Sequence, residues 1–431
     1  MRKYLALLLA AALSLTLAAC GSAQQPNAPD DSGEDAEPEA AETAEPETDA
    51  LTRQTQYGPV QGTLENGAEI WYAIPYGAAP VGELRWTPPQ DPEAWSESVD
   101  CTSPGEMAYQ MASGEASGTE DCLNLDVYAP EGAENLPVLV FLHGGNNQTG
   151  NTKELIGSEL VVNDGCVFVT LNYRLGIFGF NCLPALQTEE GSTGNYAMLD
   201  VAKALDWVKD NIAAFGGDPE NITISGFSAG GRDVMAMLVS PLFAGKFQKA
   251  IAFSGGMTIA DVSESVSAIA AAVAPLAVED GKAEDEAAAK AWLMTDGGDV
   301  KEWLYGVSSE RLCALMGNAG IRMSVFPHLY NDGVVFPVEG FETDTWNSVP
   351  VIMLTGSTEF SFFDYGDAFW NSDEAAALDE TDLQAAKDFA NAYGSDMYRI
   401  FNAQCSAETM YDKYGADIYL CQVDYGGADS K

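Results

Sequence analysis

The chain has 431 residues and carries 20 Lys and Arg against 65 Asp and Glu, a formal net charge of −45. With 46% hydrophobic and 10% aromatic residues, it is neither wholly disordered nor fibrous, and it is long enough for a large core. The excess of acid argues against nucleic acid as a partner and against a basic membrane-surface helix. Histidine occurs only as His143 and His328, which excludes a histidine-rich metal site.

The N-terminus has the pattern of an export signal. Arg2 and Lys3 precede an apolar run over residues 5–17 that is too short to span a membrane comfortably. The following Ala18-Ala19-Cys20 completes a segment that resembles the bacterial lipobox, in which the cysteine is lipidated. We therefore expect residues 1–20 to be a lipoprotein signal and Cys20 to anchor the chain outside the bacterial cytoplasmic membrane. The alternative is an ordinary signal peptide with a chance cysteine.

Residues 21–50 differ sharply from the rest of the chain. They hold ten carboxylates and no Lys or Arg, and they offer almost nothing apolar to bury. Such a segment repels itself and stays extended, which predicts an acidic disordered tether. Residues 51–431 form the predicted folded domain and still hold 55 acidic against 18 basic residues.

The folded domain contains short, uniformly apolar segments at residues 138–142, 166–171, 222–224, 250–253 and 351–354. Strands of this kind are expected where helices cover both faces of a parallel sheet. Between the second and third segments, apolar residues at helical spacing (Val201, Leu205, Val208 and Ile212) precede Gly216-Gly217, which predicts a helix and its end. The pattern predicts an α/β fold with a doubly wound, mostly parallel central sheet.

The third segment leads into Gly226-Phe227-Ser228-Ala229-Gly230, with a helical pattern after it. A strand–turn–helix context is what a G-x-S-x-G nucleophile turn requires, because small neighbours let the serine adopt a strained conformation. Ser228 is therefore the candidate nucleophile. The alternative is a tight turn without chemistry.

The first segment ends in His143-Gly144-Gly145-Asn146. Consecutive glycines can aim backbone N–H groups at one point, so Gly144, Gly145 and Asn146, with the N–H of Ala229, are the candidate oxyanion donors. The alternative is a turn that needs only the torsional freedom of glycine. We expect His143 to pack against and orient this loop rather than act as general base.

Together these motifs resemble the type B carboxylesterases of the α/β-hydrolase superfamily, which include the cholinesterases and the para-nitrobenzyl esterases. The resemblance runs from about residue 52 to the C-terminus, and it rests on the serine turn and on ordered matches elsewhere. These are Ile74-Pro75-Tyr76, Val81-Gly82-Glu83-Leu84-Arg85, Glu120-Asp121-Cys122-Leu123-Asn124-Leu125, Asn172-Tyr173-Arg174-Leu175-Gly176, Gly194-Asn195-Tyr196 and Phe215-Gly216-Gly217-Asp218-Pro219.

The resemblance implies a disulfide between Cys101 and Cys122 and structural ion pairs between Arg85 and Glu120 and between Arg174 and Asp200. It also implies that Glu359, just after the fifth apolar segment, is the acid of a catalytic triad. Cys166 is expected to be a buried thiol, and the pairing of Cys182, Cys313, Cys405 and Cys421 stays open. Residues 262–316 are expected to form a helical insertion over the sheet.

Two departures from the family pattern leave the substrate open. Phe227 stands before the serine, where the family usually has Glu, and Asn146 replaces a small residue in the oxyanion loop. Neither change removes a catalytic atom. Because the domain is acidic, we expect small neutral esters rather than anionic ones as substrates.

The expected activity is carboxylic-ester hydrolysis through Ser228, a histidine and Glu359, by a monomer that needs no metal or other cofactor. The membrane is expected to be contacted only through the lipid anchor. A non-catalytic binding or adhesion module at the cell surface is the rival hypothesis, because the family contains members that keep the fold and lose the chemistry. A solute-binding lipoprotein explains the anchor but not the serine motif.

No histidine follows Glu359 in this sequence, although the family mechanism calls for one there. Residues 417–425 resemble the late strand that precedes the histidine loop of the family. The sequence-based expectation is a chain truncated at its C-terminus and nearly inactive as it stands, since the loss of one triad member elsewhere leaves only about 10³–10⁴-fold acceleration over water. Neither His143 nor His328 is expected to substitute for the missing base.

Overall fold

The computed structural model describes residues 48–187, 193–317, 327–361 and 368–424. The predicted signal with Cys20, and nearly all of the acidic tether, lie outside the described residues. The described strands are β1 (Thr52–Gln54), β2 (Pro59–Gln61), β3 (Thr63–Glu65), β4 (Ala68–Pro75), β5 (Val99–Asp100), β6 (Gln110–Ala112), β7 (Glu115–Ser117), β8 (Asn124–Pro130), β9 (Leu136–Leu142), β10 (Val167–Leu171), β11 (Gly217–Phe227), β12 (Lys249–Phe253), β13 (Val351–Gly356) and β14 (Ile418–Val423).

Nine of these strands form one sheet in the order β14-β13-β12-β11-β9-β10-β8-β4-β3. Neighbours from β14 to β10 pair in parallel, whereas β8, β4 and β3 are antiparallel. The smaller sheets are β1-β2-β5 and β6-β7. The mostly parallel α/β sheet predicted from the apolar segments is confirmed, and the antiparallel edge was not foreseen.

From β9 to β13, every strand is followed by at least one helix. The described helices are α1 (Ser158–Asp164), α2 (Gly176–Gly179), α3 (Tyr196–Asn211), α4 (Ala229–Met237), α5 (Val262–Glu279), α6 (Glu286–Leu293), α7 (Gly298–Gly306), α8 (Ser309–Ala314), α9 (Asp373–Ala376), α10 (Glu380–Arg399) and α11 (Cys405–Met410), with a π-helical turn at Ile400–Gln404.

The central strands of the sheet are buried on both faces, which is why a strand such as β10 is uniformly apolar. In β10, Phe168 belongs to one hydrophobic cluster, and its neighbours Val167 and Val169 belong to the other. Side chains alternate between the faces of a strand, so the two clusters lie on opposite sides of the sheet. Cys166 comes just before this strand instead of opening it, and it is partly exposed.

The predicted helix before the third apolar segment is α3, and its apolar face is buried. It continues as a 3-10 turn over Ile212–Phe215 and ends at Gly216, whose φ of +83° lies in the left-handed region. A Cβ at Gly216 would come within 2.4 Å of the Ala133 carbonyl oxygen, so this position needs glycine. The turn returns the chain into β11.

The expected helical insertion consists of α5 to α8. Helix α5 begins at the Asp261 cap, where the carboxylate accepts the Glu264 N–H, and it packs against α6. It is long and apolar enough to cross a membrane, with a mean hydropathy of 1.4, but seven of its residues are buried within the protein. Helices in the cores of soluble proteins share these properties.

Two buried ion pairs tie separate segments together, one of them between the segment after β10 and helix α3. The Arg85 guanidinium donates to both carboxylate oxygens of Glu120 at 2.7 Å. Arg174 donates through its Nε and Nη2 to Asp200 at 2.8 and 2.6 Å, and both side chains are almost fully buried. Bidentate pairs of this kind fix geometry as well as charge. The two ion pairs implied by the resemblance are confirmed.

The disulfide between Cys101 and Cys122 is not formed in the structure, where both are buried free thiols. The backbone N–H of Cys101 donates to the Gln61 carbonyl, and the backbone N–H of Cys122 donates to the Glu120 carbonyl. Burial raises the pKa of the Cys101 thiol to about 12 and that of Cys122 well above its usual range.

We predict that the Arg174 pair dominates the local stability. Arg174→Gln leaves Asp200 buried without its partner, which should lower the free energy of unfolding by about 3–5 kcal/mol. As a matched control, Arg399→Gln removes an exposed pair with Asp396 on one helix, for which about 0–1 kcal/mol is expected. Urea unfolding measures both. Equal losses would contradict this ranking.

Candidate active site

Four strand ends bring the candidate residues to one edge of the sheet. Strands β9, β11, β12 and β13 are parallel neighbours, with Gly226 opposite Leu142 and Phe253 opposite both Phe227 and Leu354. Their carboxyl ends therefore lie side by side. In open α/β sheets this edge is where ligands bind.

Ser228 occupies a strained turn between β11 and α4. Its φ of +54° and ψ of −110° are unusual for a residue with a side chain, and its N–H donates to the Phe253 carbonyl at 2.8 Å. A Cβ on Gly230 would lie 2.1 Å from the Leu142 carbonyl oxygen, so only glycine lets the helix start so close to β9. The partly buried serine thus caps a nine-residue helix, as predicted from the G-x-S-x-G pattern.

The loop predicted to bind the oxyanion follows β9, and the hydrogen bonds of the structure leave fewer candidate donors than the sequence suggested. The Gly144 N–H donates to both carboxylate oxygens of Glu154, at 3.1 and 2.9 Å, so it is already bonded. The N–H groups of Gly145, Asn146 and Ala229 have no acceptor among the described residues. Gly144 was therefore wrongly predicted as a free donor, whereas Gly145, Asn146 and Ala229 stay candidate donors.

Two asparagines fasten this loop to helix α4. Arg232 donates through Nη2 to the Asn146 Oδ1 at 2.8 Å, and Asn147 donates through Nδ2 to the Asp233 Oδ1 at 2.9 Å. Burial raises the pKa of Asp233 to about 7. Since α4 begins at Ser228, the contacts couple the oxyanion loop to the nucleophile turn. Sequence reasoning missed Glu154, Arg232 and Asp233, because none of them belongs to a recognisable motif.

Glu359 lies in the turn after β13. Its Oε2 accepts the Gly356 N–H at 2.8 Å, and its carboxylate also bonds the side chain of Ser254. Burial raises the pKa of Glu359 above its ordinary value, and these two hydrogen bonds oppose the rise. Ser254 is buried at the end of β12 with a φ of +52°. Its place directly after an apolar strand, matching that of Ser228 after β11, was the signal that could have found it.

The two histidines of the chain are held by packing contacts that involve neither Ser228 nor Glu359. His143 is buried, stacks on the Tyr173 ring with centroids 4.5 Å apart, and has Nδ1 2.9 Å from the Gly144 carbonyl oxygen. Burial lowers its pKa to about 4. His328 packs edge-on against Phe180 at 5.2 Å. Among the described contacts, neither imidazole bonds Ser228 or Glu359.

His328 is also fully buried, and its environment disfavours a charge. Burial, with the nearby Arg232 guanidinium, holds the pKa of His328 well below its ordinary value, although the Asn146 backbone opposes this shift. The ring thus lies behind the oxyanion loop. This placement agrees with the expectation that neither His143 nor His328 replaces a triad base.

The α/β-hydrolase class is defined by a strained serine at a strand–helix turn, together with backbone donors after a neighbouring strand and a carboxylate after a later strand. The described site has this arrangement. The family model of the carboxylesterase family matches residues 49–419, and the chain belongs to this family. The fold and the family predicted from sequence are both confirmed.

Relatives of known function share about 40% of aligned residues. The para-nitrobenzyl esterase of Bacillus subtilis (strain 168) is 41% identical over 238 residues, which cover 53% of this chain and 48% of the relative. The fumonisin B1 esterase of Sphingopyxis macrogoltabida is 40% identical over 248 residues, with 54% and 45% covered. The chain spans about half the length of the curated relatives it matches.

Solved esterase structures align with a larger share of this chain than the two relatives above do. A PNB esterase structure superposes with a TM-score of 0.70 at 30% identity, covering 88% of this chain and 82% of the other. A carboxylesterase of Geobacillus stearothermophilus gives a TM-score of 0.71 at 28% identity, with 88% and 80% covered.

Glu154 makes the stability of this site depend on pH. Burial raises its pKa from 4.5 to about 7, so the folded protein keeps a proton that the unfolded chain has lost. The folded state therefore binds more protons between those values, and stability falls as pH rises through that window. Glu154→Gln keeps an acceptor for the Gly144 N–H and removes the titration.

We predict that the unfolding free energy of the unaltered protein falls by ~1–3 kcal/mol more than that of Glu154→Gln between about pH 5 and about pH 8. Urea midpoints across that range measure the difference. The matched control is Glu159→Gln, an exposed residue nearby with the same change in charge. If all three proteins shared one pH profile, Glu154 would have no part in it.

Proposed function

We propose that this protein is a serine carboxylic-ester hydrolase that acts on small-molecule esters through an acyl-enzyme. One observation carries the proposal: the strained Ser228 begins a helix beside backbone N–H groups of Gly145, Asn146 and Ala229 that have no other acceptor in the described structure. Membership of the carboxylesterase family supports the reaction class.

In the proposed reaction, the Ser228 oxygen attacks the ester carbonyl carbon, and the carbonyl oxygen takes up the negative charge. The N–H groups of Gly145, Asn146 and Ala229 stabilise that oxyanion, at roughly 3 kcal/mol per donor in comparable sites. The Ser228 hydroxyl passes its proton to water during this attack. Collapse of the intermediate then expels the leaving oxygen, which takes a proton from water to become the alcohol, and leaves an ester on Ser228. Water then attacks this acyl group and releases the acid.

Proton transfer is the step that these residues support least. A Ser-His-Glu triad needs an imidazole between Ser228 and Glu359, and both histidines of the chain are held elsewhere by packing. Glu359 itself is held by Gly356 and Ser254 in a place suited to orient such an imidazole. We therefore propose that these 431 residues alone hydrolyse esters slowly, by oxyanion stabilisation without a general base.

A non-catalytic binding module remains the second candidate, and the burial of both histidines is the observation that favours it. The retained nucleophile turn and oxyanion donors favour the enzyme. The two functions differ in whether Ser228 reacts with an electrophile.

We predict that a fluorophosphonate labels Ser228 slowly but at that site alone, because the oxyanion donors stabilise the addition at phosphorus. Mass spectrometry of the peptide that contains Ser228 measures the label. Ser228→Ala should abolish it, whereas Ser361→Ala, which removes an exposed serine beyond Glu359, should not. Folded protein that stays unlabelled while a known serine esterase reacts would favour the binding module.

We also propose that the chain is anchored at the outside of the cytoplasmic membrane through Cys20. The support is the sequence pattern of residues 1–20, in which the cysteine follows Leu17-Ala18-Ala19. An acyl chain contributes about 0.8 kcal/mol per buried CH₂, so lipidation should hold the protein in the membrane fraction.

We predict that Cys20→Ala moves the protein from the membrane pellet to the soluble fraction of expressing bacteria. Immunoblots of the two fractions, with a metabolic palmitate analogue to detect the lipid, measure the change. Cys405→Ala, which removes an exposed cysteine of the folded domain, is the control and should leave the distribution as it was. A Cys20→Ala protein that still pellets without lipid would contradict the anchor.

A further inference from the structure

Arg232 is exceptional among the arginines that the structure describes. The other five each have a carboxylate within 4 Å; these are Arg53, Arg85, Arg174, Arg311 and Arg399. Arg232 has no such partner in the described structure, although acidic residues outnumber basic ones more than threefold in this chain. An unpaired guanidinium in so acidic a protein calls for an explanation.

The position of Arg232 is equally specific. It lies one helical turn after Ser228, with its backbone N–H donating to the Ser228 carbonyl at 3.0 Å. Its Nη2 bonds the side chain of Asn146, whose backbone N–H is a candidate oxyanion donor. The side chain is partly buried, so water screens its charge less than that of a surface arginine.

Its acidic neighbour Asp233 interacts with it only through space, where the guanidinium lowers the pKa of the carboxyl against the rise that burial causes. Asp233 follows directly in the helix, but its carboxylate is buried and accepts the Asn147 amide, and it makes no ion pair with Arg232. Nearby His328 is buried with a low pKa and adds no charge. One of the five N–H donors of the guanidinium is used by Asn146, and the remainder have no acceptor among the described residues.

We propose that Arg232 is a recognition site for a carboxylate on the substrate, so that the preferred esters carry a carboxylate a few bonds from the scissile carbonyl. This inference rests on the proposed function. The planar fork of arginine can bind a carboxylate through two parallel hydrogen bonds, and bonds of this type are about twice as strong as neutral ones. Half-esters of dicarboxylic acids belong to this class.

This substrate class differs from the neutral esters expected from net charge, and the two arguments act over different distances. The −45 charge repels an anion at long range, but at physiological ionic strength the screening length is only about 8 Å. Arg232 acts at contact, where a partly buried pair is screened much less. Preference for the anionic ester should therefore increase as salt is raised from low to physiological strength.

Two boronic acids test the inference on the protein as it exists, without relying on turnover. Phenylboronic acid and meta-carboxyphenylboronic acid differ by one carboxylate. In each, the Ser228 oxygen forms a bond to trigonal boron and its proton passes to water, which leaves an anionic tetrahedral adduct in the oxyanion site. Isothermal titration calorimetry at physiological salt gives both dissociation constants and hence their ratio.

We predict that the unaltered protein binds the carboxylated probe more tightly, and that Arg232→Gln reduces this preference by about tenfold, the value expected for one charge-assisted contact. Arg232→Lys keeps the charge without the fork, so it should retain part of the preference. Arg311→Gln makes the same change in net charge at a partly exposed ion pair and should leave the preference unchanged.

The outcomes separate this inference from its foundation. If Arg232→Gln weakened both probes equally, or changed neither, Arg232 would serve only to hold Asn146, and the carboxylate site would be refuted. If neither probe bound the unaltered protein, or if binding persisted in Ser228→Ala, the proposed function itself would fail. Circular dichroism of each variant checks that it is folded, and Arg232→Lys carries the test if Arg232→Gln does not fold.

Discussion

The close approach of backbones at the Ser228 turn is the constraint on which the site depends. A Cβ at Gly226 would fall 2.3 Å from the Gly230 backbone, and one at Gly255 would fall 2.2 Å from Gly231. There is no room for a side chain at these contacts. This close packing brings together the end of β11, the start of α4 and the segment after β12. It holds Ser228 at a positive φ.

The features that could be predicted well from sequence are those that depend on side-chain polarity or on the backbone freedom of glycine. Uniform apolarity identified the parallel strands because both sheet faces are buried, and Gly216 marked the end of α3 because its φ excludes larger residues. The contacts of Glu154, Ser254 and Arg232 could not be predicted in this way. Each is a polar side chain among many in an acidic chain, and only the folded arrangement selects its partner.

The predicted disulfide between Cys101 and Cys122 and the predicted ion pairs rested on the same resemblance, with different outcomes. The family resemblance implied a bond between the two cysteines, but both are buried free thiols in the structure. The ion pairs of Arg85 and Arg174 were predictable from the same resemblance. Long, flexible guanidinium groups can reach their carboxylates, so those contacts depend less on fine backbone placement.

Burial, more than pairing, sets the charge around the oxyanion site. Glu154 and Asp233 both hold the oxyanion loop, and burial raises the pKa of each to about 7. Fully ionised, both carboxylates would oppose an oxyanion forming beside Gly145 and Asn146. Because each keeps a share of its proton near neutral pH, the loop gains two acceptors for its N–H groups without the full negative charge of two ions. Arg232 then supplies positive charge at the loop, which offsets the negative charge that the two carboxylates retain there.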